Sequence, residues 1–339
     1  MRLLRIAPCA AFLLGTCAWV AIGLAATPAS TGLQQNVTFD DYSPLSSSME
    51  LARRLMMPLA FQRLQQTLAA KNETVRAQSI DLAQEKFVVY VPTGTPPKNG
   101  YGLLVFVPPW PQAELPHGWA SPLDRHDVIY VSAANAGNDA DVMDRRAPLT
   151  LLAYENIRRR YPLDGTRVYI GGMSGGARVA LHIALAYPDV FHGALLDAGS
   201  DPIGTAQIPL PSTDLFHQFQ QSTRLVYLTG GDDQNHLRMD QASRDSLHDW
   251  CVFDVDTETI PHLGHEVADA AGLNRALNAL DKPSTADPDK LARCRADIDS
   301  GLSTKLAEAQ AVLKRGARDG ARKQLQAIDA RYGGLAALQ

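Results

Sequence analysis

The sequence lacks internal repeats and lacks any cluster of basic residues interleaved with aromatic residues. The first absence argues against a repeat architecture, and the second argues against nucleic acid as a partner. Charge of neither sign dominates, because 32 lysines and arginines face 36 aspartates and glutamates, for a formal net charge of −4. With 45% hydrophobic and 20% charged residues among 339, the chain has the composition of a globular protein with one large domain or slightly more.

The first 25 residues have the pattern of a secretory signal peptide. Arg2 and Arg5 precede an apolar run over residues 10–24, and small residues before Ala26 match a cleavage site. An uncleaved membrane anchor is the less favoured alternative, because residues 15–17 interrupt the run and the run is short for a spanning helix. The sequence therefore predicts a secreted or periplasmic protein with no stable membrane insertion after signal cleavage.

Cysteine is scarce, with four residues in the whole chain. Signal cleavage would remove Cys9 and Cys17 and leave Cys251 and Cys294, an even pair in an oxidising compartment. A disulfide between them would tie the end of the main domain to the C-terminal region. Two free buried thiols are an equally weighted alternative, because the sequence does not give the distance between the two residues.

Short apolar segments alternate with helical patterns through the main part of the chain, as a doubly wound α/β sheet requires. Strands are predicted at 87–91, 103–107, 128–131, 168–170, 193–196, 225–229 and near 252–260. The runs in the middle are continuously apolar, and the last one alternates with polar residues. This combination favours a mostly parallel sheet with a half-exposed edge.

The remaining segments flank this main domain, which is predicted over residues 85–282. Residues 26–84 are predicted to form an N-terminal arm followed by a helix over 49–70, with Pro58 at a start or a kink. Residues 283–339 form a C-terminal extension whose apolar stripes and glycine break predict a helical hairpin. We expect this hairpin to pack against the main domain.

The sequence around Ser174 carries the strongest functional signal. The β-branched run 168–170 meets Gly-x-Ser-x-Gly at 172–176 and then an amphipathic helical pattern, so Ser174 falls at a strand-to-helix corner. Such a nucleophile elbow holds the serine in a strained conformation, and its glycines let the strand and helix approach. The Gly175 amide is expected to face the same space and stabilise an oxyanion. An ordinary βα turn is the competing interpretation.

A nucleophilic serine needs a base and an orienting carboxylate. In α/β-hydrolases these follow in the chain order serine, acid, histidine. Asp233, just after the predicted strand 225–229, is the first choice for the carboxylate, and Asp232 is the second. His265 is the first choice for the base because it stands between a glycine and the start of the last helical pattern, and His262 is its competitor.

Four segments of the chain, 164–176, 187–194, 229–233 and 264–266, read DGTRVYIGGMSGG, YPDVFHGA, TGGDD and GHE. Through them, residues from about 103 to 280 resemble secreted α/β-hydrolases of the poly(3-hydroxybutyrate) depolymerase and feruloyl esterase type. The resemblance implies an α/β-hydrolase fold over 85–282 and a serine esterase that uses no metal or cofactor and acts on a small-molecule or polymeric ester. It also implies Ser174 as nucleophile, His265 as general base and acid, and Asp233 as the orienting carboxylate.

One segment departs from the pattern of such hydrolases. They usually carry His-Gly after the third strand, where a loop amide completes the oxyanion hole, whereas this chain reads VPPWP over 107–111. Proline has no N–H to donate, so Trp110 is the candidate second donor, through its backbone amide or its indole. Loss of one donor lowers turnover by about a hundredfold or more. A catalytically silent hydrolase-fold binding protein is therefore the main alternative to a serine esterase, and a serine peptidase of the same fold is another.

Overall fold

The computed structural model describes residues 30–283 and 287–336. The predicted signal peptide, residues 1–25, lies outside the described residues. Within the described ranges, no helix combines the length and the hydropathy needed to cross a bilayer.

Eight strands form one sheet at the centre of the structure. They are β1 (Gly32–Val37), β2 (Phe87–Val91), β3 (Tyr101–Val107), β4 (Val128–Ala133), β5 (Leu163–Met173), β6 (Gly193–Asp197), β7 (Arg224–Gly230) and β8 (Val255–Ile260). Their spatial order is β1-β2-β4-β3-β5-β6-β7-β8. The pairs β1–β2 and β2–β4 are antiparallel, and all the other neighbours are parallel. The mostly parallel α/β-hydrolase sheet predicted from the sequence is confirmed.

Helices cover both faces of this sheet. They are α1 (Ser48–Leu55), α2 (Pro58–Lys71), α3 (Ala120–Arg125), α4 (Ala147–Arg160), α5 (Gly175–Ala186), α6 (Thr213–Ser222), α7 (Gln234–Asp249), α8 (Ala270–Leu280), α9 (Pro288–Lys314) and α10 (Arg318–Tyr332). Alternate residues of β3 serve opposite faces, as the pleat requires. Leu103 and Val105 join the core under α4 and α5, and Leu104 and Phe106 join the core under α3 and α8.

The N-terminal segment differs from its prediction in two ways. The helix expected over 49–70 is two helices, separated at residues 56–57, and Pro58 begins the second. Proline suits the first turn of a helix, where its missing N–H has no partner to lose. The expected arm contains β1, which pairs with β2 at the sheet edge. The residues of β1 are mostly polar and at least partly exposed, so the sequence shows no hydrophobic alternation that would predict a strand. Backbone pairing with β2 holds β1 at the sheet edge.

The C-terminal extension forms the expected hairpin, and the hairpin packs against the main domain. Cys251 and Cys294 form a disulfide whose Cα atoms are 5.9 Å apart. Near it, Arg295 donates hydrogen bonds to the Gln220 side chain and the His217 carbonyl oxygen, at 2.6 and 2.8 Å. Helix α9 therefore meets the main domain through both covalent and polar contacts.

Candidate active site

Ser174 occupies the corner between β5 and α5 with a backbone conformation that a non-glycine residue rarely adopts. Its φ is 57° and its ψ is −120°. The neighbouring glycines are sterically required, because a Cβ on Gly172 would collide with the backbone of Gly176, and one on Gly176 would collide with the carbonyl oxygen of Val107. The Ser174 amide donates to the carbonyl oxygen of Asp197 at 2.7 Å. Such strain persists only where the surroundings fix it, and here they fix a hydroxyl at the carboxyl end of the sheet.

The structure brings together three of the residues predicted from the sequence. His265, on the loop between β8 and α8, lies with Nε2 3.0 Å from the Ser174 Oγ and with Nδ1 2.7 Å from Asp233 Oδ2. Asp233 is 8% exposed and stands between β7 and α7. The competitors Asp232 and His262 are both exposed, and the chain of contacts passes through Asp233 and His265 instead.

The electrostatics of Asp233 favour its ionised form. Burial alone would raise its pKa, but hydrogen bonds from His236 and His265 outweigh burial and hold the pKa below its usual range. Because an ionised carboxylate only accepts hydrogen bonds, the Nδ1 of His265 carries a proton. Its Nε2 is then the acceptor for the Ser174 hydroxyl. The imidazole side chain is 40% exposed, which leaves it open to a bound substrate.

Sequence reasoning missed His236, which lies at the centre of this site. Its Nδ1 is 2.9 and 2.8 Å from the two oxygens of Asp233, and its ring stacks on His265 with centroids 3.9 Å apart and planes 10° apart. The available signal was its place three residues after Asp233, a spacing that puts both on one face when a helix begins between them, as α7 does.

Asp233, His236 and His265 each offer a ligand atom, and these atoms lie within 4.8 Å of one another, which is close enough to hold a metal ion. The ring geometry argues against a shared ion in this conformation. A bound metal lies near the plane of each imidazole that ligates it, and two parallel rings 3.9 Å apart have no common in-plane point. The structure instead directs both Nδ1 atoms at one carboxylate.

The loops beside Gly175 form the other side of the site. Gly175 begins α5, and the side-chain amide of the exposed residue Asn138 packs directly against its Cα, where a Cβ would otherwise stand. The backbone N–H of Asn138 donates a hydrogen bond to the carbonyl oxygen of Pro109 at 3.0 Å. Sequence reasoning missed Asn138, because its approach to Gly175 depends on loop packing.

Trp110, the predicted second oxyanion donor, is half-buried next to Gly137. Its indole Nε1 is buried and makes no hydrogen bond within the described residues. Because this atom has almost no accessible surface, an ester oxygen does not reach it in this conformation. The backbone amide of Trp110 and the side chain of Asn138 remain as candidate donors beside Gly175.

A family comparison covers the middle of the chain. The family described as "Esterase PHB depolymerase" matches residues 132–228, from the end of β4 to β7. The matched segment contains Ser174 and ends before Asp233 and His265. No curated protein matches the chain by sequence.

Three solved structures of hydrolases are similar to part of this chain. The S-formylglutathione hydrolase of Staphylococcus aureus is 16% identical with a TM-score of 0.44, over 58% of this chain and 91% of that one. The fluorophosphonate-binding serine hydrolase F of Staphylococcus aureus is 14% identical with a TM-score of 0.45, over 58% and 93%. A ferulic acid esterase is 16% identical with a TM-score of 0.41, over 57% and 89%. These likenesses say nothing about the substrate of this chain.

The sheet order and the family match agree with each other and with the elbow at Ser174. The sheet has the mixed, mostly parallel order of an α/β-hydrolase, and the matched family is a family of esterases. The chain therefore has an α/β-hydrolase fold, and its segment 132–228 is similar to esterases of the poly(3-hydroxybutyrate) depolymerase type.

Proposed function

We propose that the chain cleaves carboxylic esters through an acyl-enzyme intermediate, with Ser174 as nucleophile, His265 as general base and acid, and Asp233 as the orienting carboxylate. The observation that carries this proposal is the continuous contact from Ser174 Oγ to His265 Nε2, 3.0 Å, and from His265 Nδ1 to Asp233 Oδ2, 2.7 Å. Both distances are within reach of direct proton transfer and orientation.

The proposed reaction follows from the protonation states. The Ser174 oxygen attacks the ester carbonyl carbon while its proton passes to His265 Nε2, and the imidazolium that forms is stabilised by the Asp233 carboxylate. His265 then gives this proton to the departing alcohol, which leaves an acyl group on Ser174. Water, deprotonated by the same His265, attacks the acyl carbon and releases the acid, which restores the serine hydroxyl.

The oxyanion would be held at the start of α5. The Gly175 amide is the first proposed donor, and the backbone amide of Trp110 is one candidate for the second. Asn138 is a further candidate, because its exposed side-chain amide already touches Gly175. A terminal amide can present either its oxygen or its NH₂ to this space after rotation.

We also propose that the protein acts outside the cytoplasm, in the periplasm or after secretion. Two features support this location. The first is the signal-peptide pattern of residues 1–25. The second is the disulfide between Cys251 and Cys294, since disulfides persist mainly in oxidising compartments.

Ester turnover tests the proposed function. The purified protein is assayed with a panel of short-chain nitrophenyl esters beside Ser174→Ala and a control, Ser222→Ala, which removes an exposed hydroxyl at the end of α6. We expect turnover in the wild type and the control, and a loss of at least about a thousandfold in Ser174→Ala. Equal turnover in all three proteins would contradict the role of Ser174. A folded wild type with no turnover on any ester would favour the catalytically silent alternative.

A further inference from the structure

Two histidines from different parts of the fold share one carboxylate in the proposed triad. His265 contacts Asp233 Oδ2 from the loop after β8, and His236 contacts both Asp233 oxygens from the first turn of α7. We propose that His236 is a positioning residue for the triad: its Nδ1–H holds the Asp233 carboxylate in the orientation that His265 needs. This inference rests on the proposed function of Ser174, His265 and Asp233.

The hydrogen bonds fix which ring nitrogens carry protons. An ionised carboxylate has no proton to donate, and both Nδ1 atoms lie within 2.9 Å of it. Each Nδ1 therefore carries a proton, and each neutral ring has its lone pair on Nε2. Only the Nε2 of His265 faces Ser174, so His265 is the base and His236 acts through Asp233.

The fold holds His236 in this position from three sides. Asp233 caps α7 by accepting the His236 backbone N–H at 3.3 Å, so the same residue is tied to the carboxylate by its backbone and its ring. His265 covers one ring face. Gly199 makes room for the ring edge, because a Cβ there would lie 2.5 Å from its Cδ2, and the φ of +119° at Gly199 also disfavours a side chain.

The shared carboxylate limits how much positive charge this pair can hold. Attack by Ser174 places one positive charge on His265, which Asp233 balances. A second positive charge on His236, stacked 3.9 Å away, would oppose the first. The titratable groups that interact with His236 are Asp233, His265 and the buried Asp240 one turn further along α7, whose pKa burial raises.

Removing the His236 donor therefore has a defined electrostatic effect. Asp233 loses hydrogen bonds that favour its charged form, so it becomes more basic and stabilises a proton on His265 more strongly. His265 must be neutral to accept the serine proton. The acidic limb of the activity profile is then expected to move to higher pH, and kcat is expected to fall as the carboxylate loses its fixed orientation.

Two variants of similar size separate the donor from the ring. His236→Asn keeps an N–H at the position of Nδ1 without a ring, and His236→Leu removes both. We expect His236→Leu to lower kcat about tenfold with little change in KM, the size of one lost hydrogen bond to a charged group, and to shift the midpoint of the acidic limb upward by up to about one pH unit. His236→Asn is expected to stay within about threefold of the wild type in kcat, with the midpoint unmoved.

A spectroscopic measurement tests the same inference without any substrate. Histidine ring ¹⁵N NMR of the full chain reports the protonated nitrogen of each ring and its titration. We expect His236 as the Nδ1–H form at neutral pH, and the His265 titration to move upward in His236→Leu but not in His236→Asn. Thermal unfolding of both variants checks that they fold.

The outcomes distinguish this inference from the proposed function. Equal losses in His236→Asn and His236→Leu, or an unchanged kcat and pH midpoint in His236→Leu, would overturn the positioning role. An Nε2–H form of His236 would overturn it as well. If Ser174→Ala retains the wild-type turnover, the proposed function fails, and the NMR titration alone decides whether His236 controls the protonation of His265.

Discussion

Arg146 donates a hydrogen bond of 3.0 Å from its buried guanidinium to the carbonyl oxygen of Pro108. A second bond, 2.9 Å from its Nε, reaches the carbonyl oxygen of Ala136. One side chain therefore ties the loop after β3 to the loop after β4, the two loops that flank Gly175. Burial lowers the pKa of Arg146 to about 10, which still leaves it charged at neutral pH.

We expect Arg146→Met to loosen these loops. Two buried carbonyl oxygens lose their donors, which costs about 2 kcal/mol in the free energy of unfolding, and kcat on a nitrophenyl ester falls more than KM rises because the oxyanion donors are displaced. Chemical denaturation and steady-state kinetics measure both effects. Arg315→Met, at an exposed position after α9, is the matched control. Equal stability and kcat in the two variants would contradict the role of Arg146.

The second oxyanion donor is open to a direct comparison of Asn138 and Trp110. Asn138→Ala removes the amide that touches Gly175, and we expect kcat to fall by about a hundredfold with KM nearly unchanged. Trp110→Phe removes an indole N–H that is buried away from the site, and we expect kcat within about threefold of the wild type. An unchanged kcat in Asn138→Ala would leave the backbone amide of Trp110 as the donor.

Asp197 gives the stability a pH dependence. Burial raises its pKa from 3.8 to about 8, while its Oδ2 accepts the Ala268 N–H at 2.9 Å. Between these two values the folded state binds a proton that the unfolded state has lost, so the stabilising contribution is complete below pH 3.8, declines as the pH rises and is gone above about 8.

We therefore expect Asp197→Asn to unfold with a flatter pH dependence than the wild type. We measure the free energy of unfolding by denaturant titration across the same pH range. The difference between the variant and the wild type is expected to shift in favour of the variant as the pH rises. The control is Asp249→Asn, at an exposed position at the end of α7. Identical pH slopes for wild type and Asp197→Asn would contradict the buried, protonated carboxyl group.

The disulfide closes a loop of intermediate length, since Cys251 and Cys294 are 43 residues apart. We expect its reduction to lower the free energy of unfolding by about 3 to 4 kcal/mol, mainly because the unfolded chain gains conformational entropy without the cross-link. Denaturant titration with and without dithiothreitol measures this loss. The double variant with serine at both positions should have the free energy of unfolding of the reduced protein, with or without dithiothreitol. A wild-type free energy of unfolding that dithiothreitol does not change would contradict the stabilising role.

The sequence predicts those parts of the fold in which side-chain pattern and burial coincide. β2 is buried along its whole length, and its run FVVYV matches the predicted boundaries. β1 was missed because its residues GLQQNV are held by backbone pairing with β2 and bury little. Register and sheet edges depend on partners far away in the chain, which a local pattern does not contain.

The residues of the site also fall into those that a local sequence motif identifies and those that only the folded structure identifies. The sequence singles out Ser174 because the elbow is a local motif, and it singles out Asp233 and His265 because each follows a predicted strand in the chain order of α/β-hydrolases. The contacts among the three side chains are observed, and their catalytic roles stay a prediction. His236 and Asn138 were missed because their roles depend on contacts with residues far along the chain, namely the stack on His265 and the packing on Gly175.

Covalent labelling tests the central claim most directly. The purified protein and Ser174→Ala are treated with a fluorophosphonate, and intact mass and peptide mapping locate the adduct. We predict one adduct per wild-type chain, on Ser174, formed more slowly when His265 is protonated at low pH and absent from Ser174→Ala. A folded wild type that remains unlabelled, or a label on another serine, would contradict Ser174 as the activated nucleophile.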